Sequence, residues 1–383
     1  MRVLYISYPF DERHAPHQSM AALWLARHGA EVVFLGWGNE APDRAWLASQ
    51  ERLEYRTVAK RGWISAFAFL RAAIALVRRV KPDCIYVQGA QNTPFALWLA
   101  AFHRGARLVY HTQDYLGPGE HRFYERCERR FARRADAVIS NEPNRARFMA
   151  SSYGLPRMPH VLRTALPSWW PVPARDARVR ERLLAQAGLG AMGEDACLIA
   201  AGGAYAADRM SPQLLDAFAR LPGHYALVFT SMGEGSARLA QLRARIGGAE
   251  WGRRVVALGE LDFARLLECY AACDLGVLLY PNSGIGHYYQ APGRLTEYLR
   301  CGLAIVASNF PGFELLFCRH AIGATADPND PASIAAALRS LGEMPAPERA
   351  ARRARLVELA LGELAYEAQA EAVIPQALPG MAR

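Results

Sequence analysis

Short apolar runs alternate along the chain with longer stretches whose apolar positions recur every three or four residues. RVLYIS at the amino terminus reads as a strand, SMAALWLARHG as an amphipathic helix stopped by glycine, and EVVFLGW as a second strand. The alternation continues through the helix AFAFLRAAIALVRRV, the strand CIYVQG, the helix PFALWLAAFHR and the strand RLVYHT. A second series starts at CLIAAGG and runs through YALVFTS, RVVALG, LGVLLY and LAIVAS. Such repetition predicts an α/β fold with two parallel sheets, each covered by helices on both faces. The proline-rich stretch LPSWWPVPARDAR separates the two series and reads as a linker. The expected arrangement is two Rossmann-like domains facing each other across a cleft, 1–166 and 179–361, joined by the linker 167–178. Ligands of open parallel sheets bind beyond the carboxyl ends of the strands, so candidate residues are sought there.

Composition narrows this picture. Hydrophobic residues make up 52% of the 383, enough for a sizeable core, and no run is apolar enough for a spanning helix. The start MRVLYISYPF is too short, and too soon followed by charge, for a signal peptide. Seven cysteines lie as scattered singles, apart from Cys269 and Cys273, which favours a reduced, cytoplasmic setting over a disulfide framework. The net charge of +9 is uneven: residues 1–165 hold 24 Lys/Arg against 14 Asp/Glu. An anionic membrane surface or an acidic substrate suits that excess. No nucleic-acid recognition module accompanies it, so no nucleic-acid partner is expected.

The segment APGRLTEYLRCGLAIVASNFPGFE, residues 291–314, carries the most specific chemistry. A Pro292-Gly293 turn is followed by Arg294, whose fork of donors suits phosphate. Glu297, expected at the head of the next helix, can accept from two adjacent ribose hydroxyls. Either residue alone also reads as a helix cap or a surface charge. AGGAYAADRMSPQLLDAF offers Gly202 and Gly203 at a strand end and Arg209 before a helix. RLVYHTQD places His111 just past a strand, with Asp114 able to orient it or cap a turn. The loop PNSGIGHYYQ supplies Gly284, Gly286, His287 and Tyr289, and ERHAPHQSM supplies His14, His17 and Ser19. Two basic segments, KRGWISAFAFLRAAIALVRRVK and EHRFYERCERRFARRAD, suit anionic lipid, and the first also reads as an ordinary helix covering the sheet. In the second, Glu120, Glu125 and Glu128 instead suggest surface pairing with the arginines.

Taken together, PGRLTEYLRCGLAIVAS, the Gly202-Gly203 turn and RLVYHTQD resemble the GT-B glycosyltransferases of the family 4-like group, glycosyl transferases group 1. The resemblance runs over nearly the whole chain. It implies a nucleoside-diphosphate sugar as donor, a UDP-sugar ahead of a GDP-sugar, with no separate cofactor. The acceptor would be a glycan, a lipid-linked or a small-molecule hydroxyl. Glu297 would hold the ribose, with Gly202, Gly203, Gly293 and Leu295 also on the nucleotide. Arg209 and Arg294 would neutralise the diphosphate, and His111 would face the donor sugar. The final helix, within 362–383, would cross back to the first domain. The chain has no Asp-x-Asp, which favours metal-independent transfer. Tyr289 stands where the family usually has the first of two glutamates, which leaves retention of configuration open. Two rivals therefore stand beside a transferase: a non-catalytic relative that binds a sugar nucleotide, and a sugar-nucleotide epimerase of the same fold. The expected location is cytoplasmic, peripheral at the inner face of the membrane.

Overall fold

The apolar runs form the centres of two all-parallel sheets. The computed structural model describes residues 1–9, 20–39, 44–62, 64–103, 105–113 and 121–381. The first sheet is built from β1 (Arg2–Ser7), β2 (Glu31–Trp37), β3 (Leu53–Val58), β4 (Cys84–Gln88), β5 (Arg107–Thr112), β6 (Ala137–Ser140) and β7 (His160–Val161). Their order is β3-β2-β1-β4-β5-β6-β7. The second sheet holds β8 (Cys197–Ala201), β9 (Tyr225–Phe229), β10 (Val255–Ala257), β11 (Leu275–Leu278), β12 (Ala304–Ser308) and β13 (Gly323–Ala326), in the order β10-β9-β8-β11-β12-β13. In both sheets the order reverses beside the first strand, between β1 and β4 and between β8 and β11. Those are the points where such sheets open a crevice.

The chain divides into two compact units. One is Met1–Pro167 with Gly284–Ala291 and Tyr366–Arg383, and the other is Ser168–Ser283 with Pro292–Ala365. The loop Gly284–Ala291 thus belongs to the first unit although the sequence places it among the strands of the second. Its Ile285 packs on the first unit's core. The buried Arg145 donates through Nη1 to Gln113 O at 2.9 Å and through Nη2 to Gly286 O at 2.5 Å.

In the first unit, register lines up one aromatic residue from each of four strands. Phe34 stacks on Tyr55 at 4.9 Å and on Tyr5 at 5.3 Å, and Tyr5 stacks on Tyr86 at 4.7 Å. The other face buries Leu4, Ile6, Val33, Leu35, Ile85 and Val87 against Phe69 and Phe95. Period-two alternation therefore gives this sheet an aromatic and an aliphatic face.

In the helix Arg122–Arg134, Glu128 departs from the expected surface pairing. Glu128 is fully buried, accepting from Tyr110 Oη at 2.6 Å and from Tyr153 Oη at 2.7 Å. Burial pushes its carboxyl up to about 7, against the pull of the two phenols. Glu120 lies outside the described residues. Cys269 and Cys273 are both buried, as core residues.

Candidate functional site

The second unit gathers its polar groups at the carboxyl ends of β8 and β11. Immediately after β8 the chain turns through Gly202 and Gly203. Gly202 N–H donates to Tyr298 Oη at 2.8 Å, and Tyr298 Oη donates to Ala200 O at 3.2 Å. A Cβ at Gly202 would collide with the hydroxyls of Tyr298 and Tyr270, so only glycine admits this double approach. Gly203 has φ +98° and donates its N–H to Thr230 Oγ1 at 2.8 Å. Tyr298 reaches the turn because Gly276, on β11, leaves room for its ring; a Cβ there would run into it.

Arg294 closes the other side of this turn. It lies in the first turn of the helix Gly293–Arg300, which Pro292 starts. Its Nη1 donates to Gly202 O and its Nη2 to Tyr280 Oη at 3.1 Å. Ser308 Oγ, at the end of β12, fixes Tyr280 in turn, accepting from its N–H at 2.9 Å. Arg209 ends the short turn Ala207–Arg209 before the helix Ser211–Phe218. Its guanidinium lies 3.3 Å from where a Cβ on Gly203 would be, and its Nη1 is shielded from solvent with no hydrogen-bond partner among the described residues. The two arginines, Gly202 and Tyr280 line one small cavity of about 20 Å³. Burial raises the Tyr280 phenol, and the nearby Arg209 charge opposes that shift. Two guanidinium groups beside a glycine turn at strand carboxyl ends have the chemistry that suits an anion.

Glu297 is one turn into its helix and buried, which corrects the expectation of a residue at the helix head. Burial pushes its carboxyl up to about 8. Gly293 is the first helical residue, and Leu295 turns a buried side chain into the core while its N–H donates to Pro292 O at 3.1 Å. The structure thus brings Arg209, Arg294, Gly202 and Gly203 together, with Gly293, Leu295 and Glu297 on the helix that carries Arg294.

His111 lies in the first unit, inside β5 one residue before its end, which corrects the expectation of a residue just past the strand. It is buried, 2.9 Å from Tyr86 Oη through Nδ1, and its ring meets the Tyr86 ring edge-on at 6.0 Å. Burial drives its pKa down to about 4, so the imidazole is neutral at neutral pH. Gly284, Gly286, His287 and Tyr289 also belong to this unit, on the short helix Ile285–Tyr288 and its two ends. The rings of Tyr288 and Tyr289 meet edge-on at 5.2 Å. His14, His17, Ser19 and Asp114 lie outside the described residues. Sequence reasoning did not single out Tyr298, Tyr280, Tyr270, Thr230 or Gly276. The one signal available was a glycine inside the apolar strand LGVL, which marks close approach of another group.

Two family models match the chain: the Glycosyl transferase 4-like domain over residues 15–165, and Glycosyl transferases group 1 over residues 203–357. Together they span most of its length. The chain belongs to the family 4-like, group 1 glycosyltransferases. Solved structures agree on the GT-B fold. HepE from Anabaena in complex with UDP matches with a TM-score of 0.75 at 17% identity, over 99% of this chain and 100% of that one. Sucrose-phosphate synthase from Thermosynechococcus elongatus gives 0.73 at 16% identity, over 97% of each chain. WaaG, a glycosyltransferase involved in lipopolysaccharide biosynthesis, gives 0.70 at 15% identity, over 99% of this chain and 100% of that one. A sequence search of curated proteins returns no match.

Proposed function

We propose that this glycosyltransferase moves a sugar from a nucleoside-diphosphate donor to an acceptor hydroxyl with retention of configuration and without a metal ion. The carrying observation is the unpartnered, shielded Nη1 of Arg209 beside the Gly202-Gly203 turn that Arg294 grips. A departing nucleoside diphosphate gains negative charge as the sugar leaves. Preorganised donors aimed at that charge lower the barrier without reorganising. Arg209 and Arg294 take this role, the backbone at Gly202 and Gly203 lies along the diphosphate, and Glu297 receives the ribose hydroxyls. His111 stays neutral, faces the donor sugar and offers one donor and one acceptor.

UDP is the preferred nucleotide, a reading supported by HepE structures that hold UDP and UDP-glucose. The acceptor is taken by the first unit, in cell-surface glycan or glycolipid synthesis at the inner face of the membrane. No helix among the described residues is long and apolar enough to cross a membrane.

Calorimetry with UDP and GDP, followed by donor turnover with and without acceptor, tests this reading. Nucleotide released only with acceptor supports it. An isomerised donor points to an epimerase, and binding without turnover to a non-catalytic relative. Strict dependence on magnesium or manganese would sink the arginine account.

A further inference from the structure

A cavity of about 350 Å³ opens in the second unit at the opposite end of the sheet from the glycine turn. Asp274 and Leu275 line it where β11 begins, and Gly302 and Ala304 where β12 begins. Gly202 and Tyr280 follow the carboxyl ends of β8 and β11. A five-residue strand separates such ends by about 16 Å, so the cavity is not an extension of the donor cluster.

Its charges do not balance. Four arginines line it, Arg175, Arg349, Arg352 and Arg353, against Glu194 and Asp274. Asp274 is already taken: it accepts from Arg175 Nη1 at 3.0 Å, from Arg180 Nη1 at 2.9 Å and from Leu198 N–H at 2.9 Å. Glu194 pairs with Arg175 at 2.9 Å and with Arg180 at 3.3 Å. Arg353 donates to Cys301 O at 2.7 Å and to Cys273 O, and Arg349 donates to Met344 O at 2.8 Å. Arg352 remains, its Nη1 shielded from solvent and without a hydrogen-bond partner among the described residues. Leaving a shielded charged donor unpaired is costly, and a ligand oxygen removes that cost. Burial and the neighbouring Arg175 charge both hold the Arg353 guanidinium below its usual range, as expected where cations outnumber acids. The remaining walls are apolar, from Leu275, Leu341, Met344, Ala346 and Ala350.

We propose that this cavity binds a small organic anion, a phosphate or carboxylate head on a compact apolar body, with Arg352 as its anchor. The volume lies in the range of small-molecule sites. The site is separate from the one that takes the donor.

Calorimetry on the full chain with phenyl phosphate tests this, with inorganic phosphate and phenol as partial ligands. Saturable binding of phenyl phosphate is expected, at least tenfold tighter than inorganic phosphate. Arg352→Gln should weaken it tenfold or more. Ala350→Trp, at an exposed helix position that can fill the cavity, should abolish it while the melting curve is kept. Arg294→Gln should leave it unchanged. The proposal is overturned by absence of saturable binding, by wild-type affinity in both cavity variants, by inorganic phosphate binding as tightly as phenyl phosphate, or by loss of binding in Arg294→Gln.

Discussion

At the carboxyl end of β8, Gly202 is held through its N–H by Tyr298 and through its carbonyl by Arg294, while Arg209 stands beside Gly203. At the carboxyl end of β5, His111 sits against Tyr86 at the end of a stack of aromatic rings. The two sheets share one order, but the strands differ in place: β8 lies at the order reversal, as β1 does in the first sheet, and β5 lies two strands further on, where the second sheet has β12. The first half of the sequence nevertheless holds the whole positive excess. The guanidinium groups that converge on the Gly202-Gly203 turn lie in the other half, which is close to neutral. Net charge therefore says little about where guanidinium groups converge. What suits an anion is their convergence on a backbone turn that other side chains hold in place. Burial also acts oppositely on the two regions' titratable groups, raising the Glu297 carboxyl and lowering the His111 imidazole, and leaves both neutral near pH 7.

The sharpest way to break this comparison is to remove the convergent cations. Arg209→Ala and Arg294→Ala should each cut turnover by about 10²–10³, the scale of losing one preorganised donor to developing charge. Substrate affinity should change less, because the charge grows in the transition state. Steady-state kinetics with excess chelator checks both. Loss confined to KM would turn the arginines into ground-state binders.

Next in size is Glu297→Ala, expected to weaken nucleoside-diphosphate binding by about 1–3 kcal/mol, the scale of leaving a buried hydrogen-bonding group without its partner. Calorimetry reads this directly, and unchanged affinity removes the ribose assignment. Glu297→Gln sharpens the electrostatic side. The folded carboxyl titrates at about 8, above its unfolded value, so wild type binds the extra proton when folded and loses stability as pH rises towards 8. The glutamine variant should lose less stability across that window in denaturant titrations.

The scaffold behind the turn predicts the third effect. Tyr298→Phe leaves the buried Gly202 N–H without its partner and should cost about 1–3 kcal/mol in unfolding free energy. Gly276→Ala drives a methyl group into the Tyr298 ring and should cost a similar 1–3 kcal/mol by overpacking. Chemical denaturation measures both, and wild-type stability in either would detach the turn from its tyrosine support.

On the first unit, His111→Ala should depress transfer with nucleoside-diphosphate affinity nearly intact; equal loss of affinity would take it off the sugar side. The imidazole titrates at about 4 when folded and near 6.5 when unfolded. Unfolded chains therefore bind more protons between those values, and wild type loses stability as pH falls through that window. His111→Gln should flatten that acid limb, and an unchanged limb would assign the acid sensitivity elsewhere.

The central strands were legible because β1, β4, β8 and β12 are buried on both faces and read as unbroken apolar runs. β3, β6, β7 and β13 were not singled out. β3 and β7 are edges of the first sheet and β13 an edge of the second; LEYRTV and GATA are part-exposed and carry weak apolar signals. Arg294 was singled out from the Pro292-Gly293 turn and its spacing to Glu297, and Arg209 from the family resemblance. Tyr298 and Tyr280 were not, because a tyrosine near an apolar run reads as core, and only the tertiary fold brings its hydroxyl to Gly202 or Arg294. Glu128 was misread because spacing among arginines gives the helix surface but not which face turns inward.

The smallest expected effect concerns the basic surface of the first unit. Its helix Ile64–Val80 exposes Ile64 and Phe67, at 66% and 61%, next to Lys60 and Arg61. At the helix's other end Arg79 is engaged by Glu54 at 2.7 Å, beside exposed Arg78 and Lys81, while Trp63 lies outside the described residues. An apolar pair flanked by basic residues suits an anionic membrane surface, where each basic residue contributes about 1 kcal/mol and salt screens the attraction. Weak binding to phosphatidylserine-containing vesicles at low salt is expected, released at high salt, with a soluble fraction always present. Ile64→Ser with Phe67→Ser should reduce co-sedimentation more than Arg79→Gln does, because Arg79 is already neutralised by Glu54. Absence of low-salt binding would separate the basic surface of the first half from any membrane role.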